Sequence, residues 1–246
     1  LKRDLEIAGE IQQGLLPPNM PQLSNYEFAA ISHPADQAGG DYFDWQEISR
    51  ERIVFSLGDV AGHGVGPALV TAACRAYVRG TIGAQTSPTS LLDRVNRLLH
   101  VDIPDGKFVT LVLIDLDTQH HRARLLSAGH GPTLIVRGQT GDVETFGAQG
   151  LPLGLFEDEM IDEPVEVNLD PGDLVIAVSD GFFEWSNAAG ELFGVKRLET
   201  VIRDNRHQAA EDILRIMEKT VREFVGHLPQ QDDVTGLVIK RQQNSG

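Results

Sequence analysis

The stretch Arg52 to Gly64, RIVFSLGDVAGHG, joins an apolar run to a glycine-rich segment with a single acidic residue, Asp59. Residues 52–57 are rich in Val, Ile, Phe and Leu, a composition that predicts a buried β-strand. The glycines that follow end the strand, and the small and apolar residues 66–79 predict a buried helix. The sequence therefore predicts a strand that presents an aspartate at its end and leads directly into a helix.

Similar apolar runs along the chain predict seven further strands, at residues 26–32, 108–115, 122–127, 134–137, 165–169, 174–179 and 235–240. Helical spacing of apolar residues predicts three more helices, at residues 90–100, 195–202 and 209–225. Residues 116–121 and 170–173 have the composition of hairpin turns, which imply antiparallel pairing. We therefore expect an α+β fold in which two antiparallel sheets face each other and helices lie outside.

Residues 1–16 are predicted to form a separate leading helix, because Pro17-Pro18 ends it. Its apolar residues recur every three or four positions and share one face: Leu1, Leu5, Ala8, Ile11 and Leu15. Two interpretations stay open: a helix that packs on its own domain, or a linker that pairs with a second copy and carries a signal from an upstream domain. Residues 17–246 are predicted to form one domain, and the absence of an initiator Met predicts a portion of a longer protein.

Composition excludes several classes of function. The chain has 21 Lys and Arg against 36 Asp and Glu, a net charge of −15, which argues against nucleic-acid binding. Its single cysteine, Cys74, excludes an internal disulfide and a cysteine-based zinc site. The apolar runs are shorter than the roughly 18 residues that a membrane span requires. We expect a cytoplasmic protein.

Aspartates stand at the ends of several predicted strands. Asp59 ends the strand quoted above, Asp180 follows residues 174–179, and Asp232 and Asp233 precede the last strand; Asp41 opens an aromatic segment. Strand ends in one core lie close together, and converging carboxylates repel one another unless cations lie between them. Oxygen ligands of this kind suit Mg²⁺, Mn²⁺ or Ca²⁺. Each Asp-Gly pair alone is equally an ordinary turn, so spacing leaves both explanations open.

An ordered set of motifs spans residues 15–241: GGDYFDW (39–45), GDVAGHG (58–64), AGHGP (128–132), LPLG (151–154), SDGFFEW (179–185), FG (193–194) and QDDVT (231–235). Together they resemble the metal-dependent PPM serine/threonine phosphatases, and specifically the bacterial SpoIIE/RsbU branch. The segment IQQGLLP (11–17) is similar to the linker that precedes this domain in regulators with an upstream sensory or receiver domain.

The resemblance implies a four-layer α-β-β-α sandwich with two Mn²⁺ or Mg²⁺ ions at one rim. The positions that match the family's metal ligands are Asp41, Asp59, Asp180, Asp232 and the main-chain carbonyl of Val60. Asp233 is the substitute if the last motif is shifted by one residue. By the same resemblance, Asp59 would bridge the two ions and Asp41 would lie beside them. A water activated between the ions would attack a phosphoserine or phosphothreonine phosphorus.

The chain departs from eukaryotic relatives at two points. Ala61 stands where they have a histidine credited as general acid, and His63 lies two residues further on. The arginine that binds phosphate in those relatives has no clear match near Asp41. His130, within the AGHGP motif, is expected to be structural and to fix a turn through ring hydrogen bonds.

The resemblance also implies partners: a phosphorylated regulatory protein, most plausibly an anti-sigma-factor antagonist with a STAS fold, and an upstream receiver or sensor domain. Self-association through residues 1–16 is a further expectation. Two alternatives remain open. The first is a phosphatase fold that has lost turnover and binds a partner as an adaptor. The second, another two-metal phosphodiesterase or nuclease, fits the acidic residues but not the motif order or the negative charge.

Overall fold

The computed structural model describes residues 2–62, 64–83, 86–158 and 161–243. Within these residues ten strands form two five-stranded sheets, and all neighbouring strands are antiparallel. The first sheet has the order β1 (Tyr26–His33), β10 (Val234–Arg241), β9 (Leu174–Val178), β6 (Thr133–Val136), β7 (Val143–Phe146). The second has the order β2 (Asp41–Ser49), β3 (Arg52–Val60), β4 (Val109–Asp117), β5 (Arg122–Ala128), β8 (Val165–Asn168).

Helices cover the outer face of each sheet. They are α1 (Lys2–Leu15), α2 (Val65–Thr81), α3 (Pro88–Asp102), α4 (Val195–Asn205) and α5 (Ala210–Val225). The α4 and α5 helices pack on the first sheet, and α2 and α3 pack on the second. In the ranges that the structure describes, no helix combines the length and the apolar character needed to span a membrane.

Three apolar layers hold this sandwich together. Side chains between the two sheets include Phe55, Ile114, Val175 and Ala177. The outer layers lie between each sheet and its helices. Strand β9 shows why the strands are apolar almost throughout: Val175 and Ala177 face the opposite sheet, whereas Ile176 faces α4 and α5. A strand buried on both faces has no polar alternation.

The structure confirms the expected α+β sandwich of two antiparallel sheets with helices outside, and the four later helices lie within a few residues of their predicted bounds. It adds two strands that the sequence did not predict, β2 and β7. The prediction of a hairpin at residues 170–173 is wrong, because β8 belongs to the second sheet and β9 to the first. That segment is a crossover between sheets.

Helix α1 packs on the segment that leads into β2. A side chain on Gly9 would meet Gln37 O at 1.9 Å, so the helix approaches the backbone closely. The buried Gln12 side chain donates to Gly39 O at 2.6 Å and accepts from Gly39 N at 2.9 Å. Of the apolar face predicted from the sequence, Ile11 is 62% exposed. Leu5, Ala8 and Leu15 of that face are half-buried, and Gln12 lies among them on the helix, so the predicted face overlaps the contact face.

Candidate metal centre

Asp41 and Asp59 lie opposite one another on two adjacent strands of the second sheet. Asp41 is the first residue of β2, Asp59 lies near the end of β3, and the two are direct partners in the antiparallel ladder. Asp41 is buried, and its Oδ2 atom has no hydrogen-bond partner among the residues that the structure describes. A buried carboxylate oxygen without a partner is costly, and it marks a position where a ligand is expected.

The first sheet brings two more carboxylates to the same rim. Asp180 opens a short 3-10 turn directly after β9, and Asp232 lies just before β10. These strand ends are tied together, because the Ser179 backbone N–H donates to Thr235 O at 2.9 Å. Burial raises the pKa values of Asp59 and Asp180; after burial, the charge of Asp232 adds to the shift at Asp59, and the charge of Asp59 adds to that at Asp180. The ends of the two sheets therefore lie within electrostatic range of each other.

We call these four residues the carboxylate cluster: Asp41, Asp59, Asp180 and Asp232. Burial, followed by neighbouring carboxylates, raises the pKa of Asp59 to about 6 and that of Asp180 to about 7. Burial also raises the pKa of Asp41 well above its usual value, with the charges of Asp59 and Asp233 adding to it. Raised carboxyl pKa values mean that negative charge is poorly compensated here, which a bound cation would correct.

Gly40 allows two segments of the backbone to approach each other closely at this rim. A side chain on Gly40 would lie 2.3 Å from Val60 O and 2.9 Å from Gly62 O, so only glycine fits. The Thr71 hydroxyl donates to Gly40 O at 2.6 Å, and Val60 N donates to the same oxygen at 3.1 Å. The Val60 carbonyl, a predicted ligand, thus lies beside the residue that precedes Asp41.

Asp233 has a different environment from its neighbour Asp232. Its carboxylate is buried and accepts from three backbone N–H groups: Ala35 at 2.7 Å, Gly40 at 2.5 Å and Asp41 at 3.3 Å. Asp232 is exposed. Asp233 therefore holds the backbone that presents Asp41.

The residues in this region fit hard divalent cations by their chemistry, because the donors are carboxylate and carbonyl oxygens. The carboxylates are spaced widely: across the described ranges, no three His, Cys, Asp or Glu side chains lie close enough together to hold one ion. Mutual repulsion of unneutralised carboxylates is a physical reason for such spacing. His63 lies outside the described residues.

Sequence reasoning missed three residues near the cluster. Glu184 lies one turn after Asp180, its N–H donates to Asp180 O at 2.7 Å, and its charge raises the pKa values of Asp59 and Asp180. The spacing of four residues from Asp180 was the available signal. Gln230 Nε2 donates to Asp232 O at 2.8 Å, and Gln231 Oε1 accepts from Ser186 N at 3.1 Å. Nothing local in the sequence marks these glutamine contacts.

Comparison with known proteins identifies the family of this chain. The family model for stage II sporulation protein E (SpoIIE) matches residues 49–242. The chain is 26% identical over 244 residues to the phosphoserine phosphatase RsbU of Bacillus subtilis (strain 168), covering 98% of this chain and 71% of RsbU. It spans smaller shares, 26% to 41%, of four further bacterial relatives.

Solved structures show the same architecture. The SiaA-PP2C domain of Pseudomonas aeruginosa superposes with a TM-score of 0.85 at 25% identity, covering 97% of this chain and 96% of that domain. The catalytic domain of the serine threonine protein phosphatase PstP, in complex with two manganese ions, has a TM-score of 0.62 at 14% identity. It covers 89% of this chain and 99% of that domain, and at this identity it shows the fold alone. The chain belongs to the SpoIIE family of PPM-type (PP2C) protein phosphatases.

Proposed function

We propose that the chain hydrolyses phosphoserine or phosphothreonine on a regulatory protein, with two Mn²⁺ or Mg²⁺ ions held by the carboxylate cluster and the Val60 carbonyl. The observation that carries the proposal is the cluster itself, which combines the ladder partners Asp41 and Asp59 of the second sheet with Asp180 and Asp232 at strand ends of the first. Burial and then neighbouring carboxylates raise the pKa values of Asp59 and Asp180. The manganese ions of PstP, which has the same fold, support the choice of metal.

In the proposed mechanism, the ions supply Lewis acidity, which lowers the pKa of water and neutralises charge on phosphoryl oxygens. Asp41 and Asp59 are opposite one another in the ladder and orient the site from the second sheet. Asp180, which is half-buried, and Asp232, which is exposed, complete it from the first sheet. Asp233 acts through the backbone of Gly40 and Asp41. Ala61 supplies no proton, and we assign protonation of the leaving group to water, with His63 as the alternative donor.

The proposed substrate is a phosphorylated anti-sigma-factor antagonist with a STAS fold, a choice that rests on the family. RsbU, the relative named above, is a phosphoserine phosphatase. We further propose that the chain is the output domain of a signalling protein, with residues 1–16 as linker and 17–246 as the phosphatase domain. A receiver or sensor domain upstream would act on the site through α1, whose Gln12 binds Gly39, two residues before Asp41. Such a substrate implies a cytoplasmic location.

The second candidate is an adaptor that binds a partner without turnover. Retention of all four carboxylates favours the enzyme, because each ionised carboxylate at this rim costs stability unless it serves a ligand.

One experiment separates the two candidates. Phosphate release from an aryl phosphate and from a phosphoserine protein is measured with Mn²⁺, with Mg²⁺ and with chelator, against Asp59→Ala. We expect metal-dependent release that Asp59→Ala abolishes. Release no greater than that of the variant, from both substrates, would contradict the enzyme and favour the adaptor.

A further inference from the structure

His130 lies where the chain crosses from one sheet to the other. Strand β5 of the second sheet ends at Ala128, and β6 of the first sheet begins at Thr133. The side chain is only 4% exposed, and its backbone is fixed because the Ser127 hydroxyl donates to His130 O. A buried imidazole at a crossover can contact both sheets at once.

Both ring nitrogens are used, one towards each sheet. Nε2 lies 3.0 Å from Val178 O in β9, and Nδ1 lies 3.0 Å from the Thr110 hydroxyl in β4. Because a carbonyl oxygen only accepts, Nε2 carries the proton, and the neutral ring accepts from Thr110 at Nδ1. Burial lowers the pKa of His130 to about 4, which agrees with a neutral ring.

Each partner adjoins one residue of the carboxylate cluster. Thr110 is the ladder partner of Asp59, and its Oγ1 lies 3.4 Å from Asp59 O. Val178 is the last residue of β9, two positions before Asp180. The ring therefore bridges β4 and β9: β4 pairs with the end of β3 that carries Asp59, and the end of β9 precedes Asp180.

We infer that His130 is a positioning residue whose neutral, Nε2-protonated ring sets the separation between Asp59 and Asp180. The inference rests on the proposed function, since that separation determines whether both sheets can serve the same pair of divalent ions. Residues that orient metal ligands typically change metal affinity by 10- to 100-fold when they are mutated. His130 acts through Thr110 and Val178 and touches no reacting atom.

The decisive variants are at Thr110. Thr110→Val removes the hydroxyl and keeps the shape, whereas Thr110→Ser keeps the hydroxyl. Mn²⁺ binding is followed by calorimetry, and the magnetic coupling between two bound Mn²⁺ ions by electron paramagnetic resonance. We expect Thr110→Val to weaken Mn²⁺ binding about tenfold and to alter the coupling, and Thr110→Ser to restore most of both.

A second measurement uses the unmutated protein and therefore does not depend on whether a variant folds. ¹⁵N resonances of the His130 ring in the unmutated, metal-free protein should show the Nε2–H tautomer, unchanged between about pH 5 and 8. The opposite tautomer, or a charged ring, would overturn the inference. His130→Leu removes both bonds and is expected to weaken Mn²⁺ binding at least as much as Thr110→Val.

The outcomes separate this inference from the proposed function. If the unmutated protein binds no Mn²⁺ at the cluster, the proposed function fails and the inference fails with it. If the unmutated protein binds two ions, and Thr110→Val binds them with the same affinity and coupling, the inference alone is overturned.

Discussion

Adjacent aspartates near the C-terminus have different surroundings and, on this account, different roles. The Asp233 carboxylate is occupied by the backbone N–H groups of Ala35, Gly40 and Asp41. Asp232 is exposed, and among the residues that the structure describes its Oδ1 accepts from the N–H of Asp233 alone, at 2.9 Å. Because Asp232 keeps more free lone pairs, it is the better cation ligand, and Asp233 is the better anchor for the chain at Asp41.

Asparagine substitutions distinguish the two roles. We expect Asp232→Asn to weaken Mn²⁺ binding at least tenfold with little loss of stability, because it removes one charge from the cluster. Asp233→Asn should instead lower the free energy of unfolding by about 1–3 kcal/mol, since an amide nitrogen cannot accept from a buried N–H. Calorimetric Mn²⁺ titration and urea unfolding measure the two effects. The reverse pattern would mean that Asp233 is the ligand.

The residue scale also shows what a sequence can reveal about the site. Asp59, Asp180 and Asp232 could be singled out because each adjoins an apolar strand, and Asp41 because it opens an aromatic segment. Both signals are contained in a few neighbouring residues. The anchoring role of Asp233 could not, because its partner Ala35 is 198 positions away. Contacts of this kind depend on the assembled sheets and leave no local pattern.

Among the elements, α1 has an unusual relation to the site. It contacts the domain through Gly9 and Gln12, beside residues 37–39, and leaves Ile7 and Ile11 exposed. Apolar spacing predicted the helix and part of its contact face, but not the contacts of Gly9 and Gln12. A hydropathy pattern reveals neither a glycine that allows close approach nor a glutamine that hydrogen-bonds to the backbone.

Two glycines of α1 provide a matched test of this contact. Gly9→Ala places a carbon 1.9 Å from Gln37 O and should displace the helix at a cost of about 1–3 kcal/mol. Gly14→Ala meets nothing within 4 Å and should stabilise the helix by about 1 kcal/mol. Hydrogen exchange of α1 and Mn²⁺ affinity are the measurements. Equal exchange rates in the two variants would show that the close approach is unimportant.

Strand β2 explains why element prediction was incomplete. Its sequence, DYFDWQEIS, contains three acidic residues, of types that are depleted in strands. Asp44 is nevertheless buried, because Arg75 and Arg79 from α2 form ion pairs with it. That compensation comes from another element, so the strand could be recognised only once α2 was in place. The short β7, only four residues long, gave too little pattern.

For the molecule as a whole, exposed apolar residues on α1 favour the predicted self-association. Ile7 and Ile11 are 44% and 62% exposed and lie one turn apart. If residues 1–16 pair with a second copy, the Ile7→Ser, Ile11→Ser double variant should be monomeric by sedimentation, while the unmutated chain is dimeric. Val101→Ser, at an exposed position on α3, is the control. An unchanged oligomer in the double variant would refute pairing through this helix.

Metal removal should make the stability of the molecule depend on pH in a defined direction. The folded-state pKa values of Asp59 and Asp180, about 6 and 7, lie above the ordinary value of 3.8. A carboxyl group with a raised pKa contributes stability below its unfolded pKa and loses that contribution as pH rises through its folded pKa. The metal-free protein should therefore lose stability as pH rises from about 4 to 7.

Urea unfolding in chelator across this pH range tests the effect, with Asp59→Asn as the comparison. We expect the unmutated protein to lose about 1–2 kcal/mol relative to the variant, allowing for solvent screening, and Mn²⁺ to reverse the loss. Parallel pH profiles for the two proteins would contradict this electrostatic account of the cluster.

The central claim, that carboxylates from two sheets share one pair of cations, is tested most directly by diffraction. Crystals grown with Mn²⁺ would be measured at the manganese absorption edge, and anomalous density would locate the ions. We predict two peaks at the rim, about 3.5–4 Å apart, within bonding distance of Asp59 and of both Asp41 and Asp180. Ions bound elsewhere, or none at this rim at saturating Mn²⁺, would contradict the claim.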